Sequence, residues 1–212
     1  LMTIWHQRWS NQQIGFHRSV VNDLLEKHWP TLNVQHGGTV LVPLCGKSVD
    51  MHWLAQQEHD VIGVELVLPA AEAFFEEAGN TPEVESVGQF KRLNSGPNTI
   101  LCGDFFSVPT SLASCTSWYD RAALVALPSS VRPAYVEQIR NLCKPGSVGL
   151  MITFAYPQEQ MQGPPFSLPD EEVDRLFSTG FEIELLEQLE LEDEKDRGLS
   201  NLYSSVYKLT RR

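Results

Sequence analysis

The stretch TVLVPLCGKSVD, residues 39–50, carries the pattern that decides the fold. Its first five residues, Thr39 to Pro43, are a short continuous apolar run, which is typical of a strand buried on both faces. A helix is predicted from Asp50 to Glu58, and a second apolar run, DVIGV, follows at residues 60–64. Two buried strands joined by a helix predict a βαβ unit, the building block of a parallel sheet.

The loop after the first strand ends in Gly46, Lys47 and Ser48, which look like the end of a phosphate-binding loop. Such a loop needs the pattern G-x-x-x-x-G-K-[ST], so that backbone N–H groups can surround a phosphate. The first glycine would fall on position 41, which is Leu41, and Pro43 has no N–H group. The dinucleotide pattern G-x-G-x-x-G fails as well, because the loop has a single glycine. The loop therefore offers no obvious seat for the phosphates of ATP or NAD.

Predicted strands and helices alternate along the chain, which indicates a doubly wound α/β sheet. Further strands are predicted at residues 98–102, 117–120, 148–154, 181–191 and 202–209, and further helices at residues 19–29, 69–78, 131–142 and 169–177. The last two strands alternate apolar and polar residues around a charged turn, so we expect an antiparallel hairpin. Residues 155–168 are polar and rich in proline, and we expect a functional or covering loop there. Residues 1–212 are predicted to form one domain.

Net charge, apolar runs and the spacing of cysteines and histidines disfavour several classes of function. The 212 residues carry a net charge of −11, which disfavours a nucleic-acid partner. No apolar run reaches membrane-spanning length and the first residues lack a signal-peptide core, so we expect a cytoplasmic protein without a membrane partner. The four cysteines form no C-x-x-C pair and the six histidines show no ligand spacing. We therefore expect reduced thiols and no bound metal.

Several side chains that suit a nucleoside follow the predicted strands. Glu65 ends the second strand, about 20 residues beyond the first loop, where α/β folds place an acid on ribose hydroxyls. Asp104 and Phe105 follow the third strand, and a carboxylate beside an aromatic ring suits an adenine base. Arg121 follows the fourth strand. A nucleoside site without a phosphate cradle points to S-adenosylmethionine.

Separated motifs resemble the thiopurine S-methyltransferase family across nearly the whole chain. They are PLCGKS.DM.WLA...H.VIGVE from Pro43, YDRAALVAL from Tyr119, GPPFSLP..E...LF from Gly163, and an opening that carries Trp5, Trp9 and GFH. The resemblance implies a class I methyltransferase fold: a seven-stranded, mostly parallel sheet with an antiparallel last strand. It also implies a monomeric enzyme that moves a methyl group from S-adenosylmethionine to small aromatic or heterocyclic thiols such as thiopurines. Bacterial members are associated with selenium and tellurium species as well.

The same resemblance assigns expected roles to residues. The donor site would include Trp9, Leu44, Glu65 and Arg121, and residues 1–18 would close over the active site as a lid segment. The adenine side would fall on Asp104 and Phe105. Arg121 would also be the catalytic residue, because it can stabilise an anionic thiolate. The acceptor side would include Trp5, Phe16 and Arg197.

Each assignment has a plain structural alternative. Trp5 and Trp9 are also compatible with an amphipathic helix docked on the core, and Phe16 with a core position. Glu65 can instead cap the following helix or pair with a lysine, and Arg121 can pair with a neighbouring carboxylate. Arg197 lies in a charged turn of the kind that is usually only solvated.

Other functions also stay open at this point. One is a methyltransferase of the same fold that acts on selenium or tellurium oxyanions or on a halide. Another is a protein that binds S-adenosylmethionine or a metalloid without turnover. A nicotinamide oxidoreductase is disfavoured because the glycine fingerprint is missing.

Overall fold

Nine strands form one mixed sheet in the computed structural model, which describes residues 2–212 and their side chains from Ile4 onward. The strands are β1 Thr39–Pro43, β2 Asp60–Glu65, β3 Glu83–Val87, β4 Phe90–Ser95, β5 Asn98–Cys102, β6 Cys115–Arg121, β7 Cys143–Ile152, β8 Phe181–Glu190 and β9 Tyr203–Arg211. Their order across the sheet is β3-β4-β5-β2-β1-β6-β7-β9-β8. The first residue, Leu1, lies outside the described part, so the predicted lid segment is followed from residue 2.

The centre of the sheet is parallel. Strand β1 lies between β2 and β6 and is parallel to both, with Leu41 opposite Ile62 on one side and Trp118 on the other. Strand β5 continues the parallel set beyond β2, and β7 continues it beyond β6. The final strand, β9, is antiparallel to both β7 and β8. The predicted parallel sheet, the antiparallel last strand and the terminal hairpin are all confirmed.

The predicted count of seven strands is wrong by two within the described residues. Strands β3 and β4 form a hairpin that adds to the sheet beyond β5, in antiparallel pairing. This hairpin falls in a part of the sequence that shows no clear strand pattern. The reason is exposure: β3 is an edge strand whose residues Glu83 to Ser86 all face solvent, so burial imposes no apolar alternation on them.

Helices cover both faces of the sheet, as the doubly wound prediction requires. They are α1 Met2–Ser10, α2 Asp23–His28, α3 Asp50–Gln56, α4 Leu68–Glu77, α5 Arg132–Leu142 and α6 Asp170–Phe177. Alternate residues of β1 enter different cores, because successive side chains of a strand point to opposite faces. Val40 and Val42 pack with α2, α3 and α4, whereas Leu41 packs with α5 and α6.

The helix predicted from Ser19 begins four residues later, at Asp23. Asn22 is the cause, because its side-chain oxygen accepts from the backbone N–H groups of Leu24 and Leu25 and so caps the helix. Val20, which we expected near the buried face, is 71% exposed. No helix in residues 2–212 combines the length and the apolar character needed to cross a bilayer.

Candidate active site

Four parallel strands end side by side at one edge of the sheet, which we call the carboxyl edge. Strands β5, β2, β1 and β6 are consecutive neighbours there, so the residues that follow them are brought together. Open α/β sheets bind ligands outside this edge. The four strand ends carry the predicted donor residues Asp104, Glu65, Leu44 and Arg121.

The loop after β1 bends sharply before α3. Leu44 and Gly46 both have positive φ values, 51° and 55°, which is a strained conformation for a leucine. The bend carries the Gly46 N–H to Glu65, where it donates to Oε1 at 2.9 Å. Because Gly46 lacks a side chain, the ring of Trp9 approaches closely: a Cβ at Gly46 would lie 3.2 Å from Trp9 Cζ2. The strained conformation of the loop therefore allows Gly46 to contact both Glu65 and the N-terminal helix α1.

Glu65 is a buried acid, only 7% exposed, held by two backbone donors. The Val67 N–H donates to Oε2 at 2.8 Å, which complements the Gly46 N–H on Oε1. Burial raises the pKa of Glu65, while the backbone N–H groups act in the opposite direction. The contact to Val67, just before α4, realises the helix-capping alternative. Each oxygen keeps a further lone pair, so the carboxylate can still accept from a ligand hydroxyl.

The lysine of the loop has a different partner from the one considered in the sequence. Lys47 Nζ donates to Oε1 of Glu77, the last residue of α4, at 2.7 Å. The partners of Glu65 are therefore backbone N–H groups and not this lysine. Two thiols flank Glu65 instead. Burial and the Glu65 charge raise the pKa of Cys45 well above its usual value and that of Cys102 to about 11. The prediction that Cys45 is a small buried thiol is confirmed.

An aromatic group covers this part of the carboxyl edge. Trp9 is buried and meets Phe16 edge to face, with ring centroids 5.7 Å apart. Trp5 meets the same Phe16 ring at 6.0 Å. The group rests on Val67 and Ala70 at the start of α4. Helix α1 is thus docked on the core, as the structural alternative proposed, and the place where it docks is the carboxyl edge beside Gly46.

Arg121 ties this covering segment to the sheet. Its NH1 group donates to the backbone oxygen of Phe16 at 2.8 Å, in place of the carboxylate partners considered in the sequence. His17 follows Phe16, and its pKa is lowered by burial and by the positive charges of Lys47 and Arg121. Sequence reasoning missed His17, although it stands in the GFH motif. Its surroundings keep the imidazole neutral near physiological pH.

Asp104 and Phe105 follow β5, and their side chains make local hydrogen-bond and packing contacts. Asp104 Oδ1 accepts from the Phe106 N–H at 3.0 Å, and Oδ2 accepts from the Ser107 hydroxyl at 3.2 Å. Asp104 is therefore the cap of a short 3-10 turn and remains half-buried at the carboxyl edge. The Phe105 ring is buried and packs on Tyr135 of α5, with centroids 5.4 Å apart. Their contact with an adenine base stays a prediction.

Arg197 lies in the turn between β8 and β9. This turn packs against the predicted loop of residues 155–168. The NH1 group of Arg197 contacts Glu194 Oε2 at 2.6 Å, and its NH2 lies 3.6 Å from the sulfur of Met161. Beneath them, Tyr156, Leu199 and Leu202 form a small apolar cluster with Met161 that joins the loop to the turn. Arg197 is thus held beside a covering element, and its contacts do not include the Trp5, Trp9 and Phe16 group. Its contact with an acceptor stays a prediction.

Asp120 stands beside Arg121 at the end of the fourth predicted strand, and the sequence offers it as a nucleoside-facing group or as an ion-pair partner of Arg121. It is 2% exposed and accepts from the hydroxyl of Tyr135 at 2.5 Å. Burial raises its pKa to about 6. In the part of the chain that the structure describes, no group of three His, Cys, Asp or Glu side chains is arranged to hold a metal ion.

Comparisons with known proteins agree with this geometry. The profile of the thiopurine S-methyltransferase family matches residues 2–212. The thiopurine S-methyltransferase of Azotobacter vinelandii is 44% identical over 213 residues, covering 98% of this chain and 98% of that protein. The resemblance seen in the motifs is confirmed.

Solved structures show the same architecture at low sequence identity. A TehB-like methyltransferase from Corynebacterium glutamicum superposes with a TM-score of 0.60 at 14% identity, covering 100% of this chain and 98% of that chain. The 1,6-didemethyltoxoflavin-N1-methyltransferase of Burkholderia thailandensis gives 0.64 at 13% identity, with 99% and 86% covered. The predicted class I methyltransferase fold is therefore confirmed, with the β3–β4 hairpin as an addition. The chain belongs to the thiopurine S-methyltransferase family.

Proposed function

We propose that this protein transfers a methyl group from S-adenosylmethionine to the sulfur of an aromatic or heterocyclic thiol such as a thiopurine, giving S-adenosylhomocysteine. The observation that carries the proposal is the buried Glu65 carboxylate at the carboxyl edge, held by the Gly46 and Val67 N–H groups beneath the Trp9 ring. Membership of the family supports the reaction and the acceptor class.

The residues at the carboxyl edge fit this donor. Glu65 retains lone pairs for the two ribose hydroxyls, and the loop at Gly46 lacks the glycine cradle that a dinucleotide would need. Trp9 provides an aromatic wall, and a cation near such a ring is stabilised by its quadrupole. When bound, the donor supplies an electrophilic methyl group on a positively charged sulfur.

The acceptor would meet aromatic and cationic side chains. Trp5 and Phe16 exclude water, and Arg121 places a permanent positive charge beside Phe16. A thiolate is the reactive form of a thiol, and a guanidinium nearby favours it. Arg197 and the covering loop would close the other side. No dedicated base is needed for a thiopurine that is partly ionised near neutral pH, and the neutral imidazole of His17 lies nearby for a less acidic acceptor.

Calorimetry followed by an acceptor screen tests the proposal. We expect binding of S-adenosylmethionine and S-adenosylhomocysteine, then methyl transfer to a thiopurine and to an aromatic thiol. Selenium and tellurium oxyanions and halides belong in the same screen, because they define the alternative acceptor class. Absence of binding would refute the donor assignment. Binding without transfer to any thiol in a single-turnover assay would refute the proposed reaction.

A further inference from the structure

A buried carboxylate lies directly before Arg121 and does not take part in the proposed chemistry. Asp120 and Arg121 are consecutive residues at the end of β6, so their side chains leave on opposite faces of the sheet. The Asp120 side chain meets Tyr135 of α5, whereas the Arg121 side chain meets Phe16 of the N-terminal segment.

Asp120 also controls the turn that follows. Its Oδ1 accepts from the backbone N–H groups of Ala123 and Leu124, both at 3.3 Å. Between them and β6 stands Ala122, whose φ of 63° is a left-handed conformation that alanine seldom adopts. Such a conformation persists only where surrounding contacts enforce it. The two N–H contacts to Asp120 and the pairing of Arg121 with Ile152 of β7 enclose this residue.

We propose that Asp120 is the positioning residue of the carboxyl edge: its carboxylate holds the turn at Ala122 in the shape that directs Arg121 to the Phe16 carbonyl. Loss of this carboxylate loosens the N-terminal segment from the sheet and misplaces the Arg121 guanidinium. The consequence for catalysis rests on the proposed function, whereas the attachment of the segment can be measured without any ligand.

The charge of Asp120 is necessary for this role, because N–H groups donate more strongly to an ionised carboxylate than to a neutral oxygen. The titratable groups that face Asp120 are Tyr135 and Arg132 from α5. Its strand neighbours Tyr119 and Arg121 leave on the opposite face of the sheet, and the Asp120 charge still raises the pKa of Tyr119. Arg132 favours the ionised form, and it is itself paired with Glu172 of α6 at 2.9 Å. With a pKa of about 6, Asp120 gains a proton in mildly acidic solution, and its hold on the turn weakens there.

Hydrogen exchange of the ligand-free protein at neutral pH tests the attachment. We compare the wild type with Asp120→Asn, and with Asp60→Asn as a matched control at the exposed, opposite end of β2. In Asp120→Asn we expect the amides of residues 11–17 to exchange about tenfold faster, because the loss of hydrogen bonds to a charged group is of that size. The amides of β1 and the whole Asp60→Asn variant should exchange as in the wild type.

A pH profile of kcat/KM with a thiol acceptor provides the second readout. The wild-type profile should fall as pH drops through about 6, and Asp120→Asn should be low and lack that limb. Wild-type exchange of residues 11–17 in a folded Asp120→Asn variant would overturn the proposal. If Asp120→Asn does not fold, the substitution is made together with Ala122→Gly, because glycine adopts the left-handed φ of residue 122 without strain. Faster exchange of residues 11–17 than in Ala122→Gly alone supports the proposal, and equal exchange overturns it. A wild type that transfers no methyl group refutes the proposed function alone, since the exchange result still decides the role of Asp120.

Discussion

The substitution Glu65→Gln isolates the carboxylate on which the donor assignment depends. The two side chains have nearly the same shape, but the carboxylate has two accepting oxygens and the amide has one. In the structure one oxygen receives the Gly46 N–H at 2.9 Å and the other receives the Val67 N–H at 2.8 Å. A glutamine must therefore leave one of these buried N–H groups without an acceptor.

The expected loss of donor affinity follows from the contacts that disappear. A hydrogen bond to a charged group contributes about 1.5–3 kcal/mol, and the ribose would lose its charged acceptor. This corresponds to a dissociation constant for S-adenosylhomocysteine that is about 10- to 150-fold higher. The orphaned N–H group also costs about 1–3 kcal/mol of folding stability, so the variant is first checked by its unfolding transition.

Isothermal titration calorimetry with S-adenosylhomocysteine measures the effect. Glu83→Gln is the matched control, because it makes the same chemical change at an exposed position of β3, on the outer edge of the sheet. The control should bind as the wild type does. If folded Glu65→Gln binds with an affinity close to the wild-type value, Glu65 does not hold the sugar and the donor site has been placed wrongly.

Changes at Gly46, the N-terminal segment, Arg121 and Asp120 should each have a measurable effect. Gly46→Ala places a Cβ 3.2 Å from the Trp9 ring at a φ of 55°, so it should lower the free energy of unfolding by about 1–2 kcal/mol in urea titrations, and an unchanged midpoint would contradict the contact. Deletion of residues 1–16 removes the aromatic cover and should weaken donor binding in calorimetry; equal affinity would rule out a lid. Arg121→Ala should lower kcat/KM for thiolate acceptors more than donor affinity, and a parental rate across the pH range would exclude the proposed role. Folding raises the pKa of Asp120 from 3.8 to about 6, so the folded state keeps a proton that the unfolded state has already released. As pH rises between these values, the wild type should lose about 3 kcal/mol of stability that Asp120→Asn does not lose, and parallel urea-derived curves would contradict this.

The sheet could be predicted well where burial dictates the sequence. Strands β1 and β2 are buried on both faces, and their apolar runs were located to within a residue of the observed ends. The β3–β4 hairpin could not be predicted in the same way. Its outer strand, β3, faces solvent, so no buried core requires an apolar pattern in its side chains. The start of α2 depends on a local side-chain cap at Asn22, which competes with the apolar periodicity that suggested an earlier start.

The position of the candidate site residues at one edge of the sheet could be predicted, whereas their contacts could not. The rule that ligands lie at the carboxyl ends of parallel strands predicted that Glu65 and Arg121 lie at one edge of the sheet, and they end β2 and β6 there. Which groups they touch depends on facing elements that are distant in the sequence. Arg121 and Phe16 are 105 residues apart, and their contact joins a side chain to a backbone oxygen, which leaves no charge pattern to find. The burial of Asp120 against Tyr135 could not be predicted from the sequence either, because the two residues lie on different elements of the fold.

The burial of the cysteines has a consequence for a protein proposed to handle an alkylating agent and sulfur nucleophiles together. The chain has four thiols of its own, and two of them lie beside Glu65. With a pKa of about 11, Cys102 is ionised in only about one molecule in ten thousand at neutral pH, and Cys45 in still fewer. Because a protonated thiol is a poor nucleophile, we expect neither Cys45 nor Cys102 to compete with the acceptor for the methyl group of the donor.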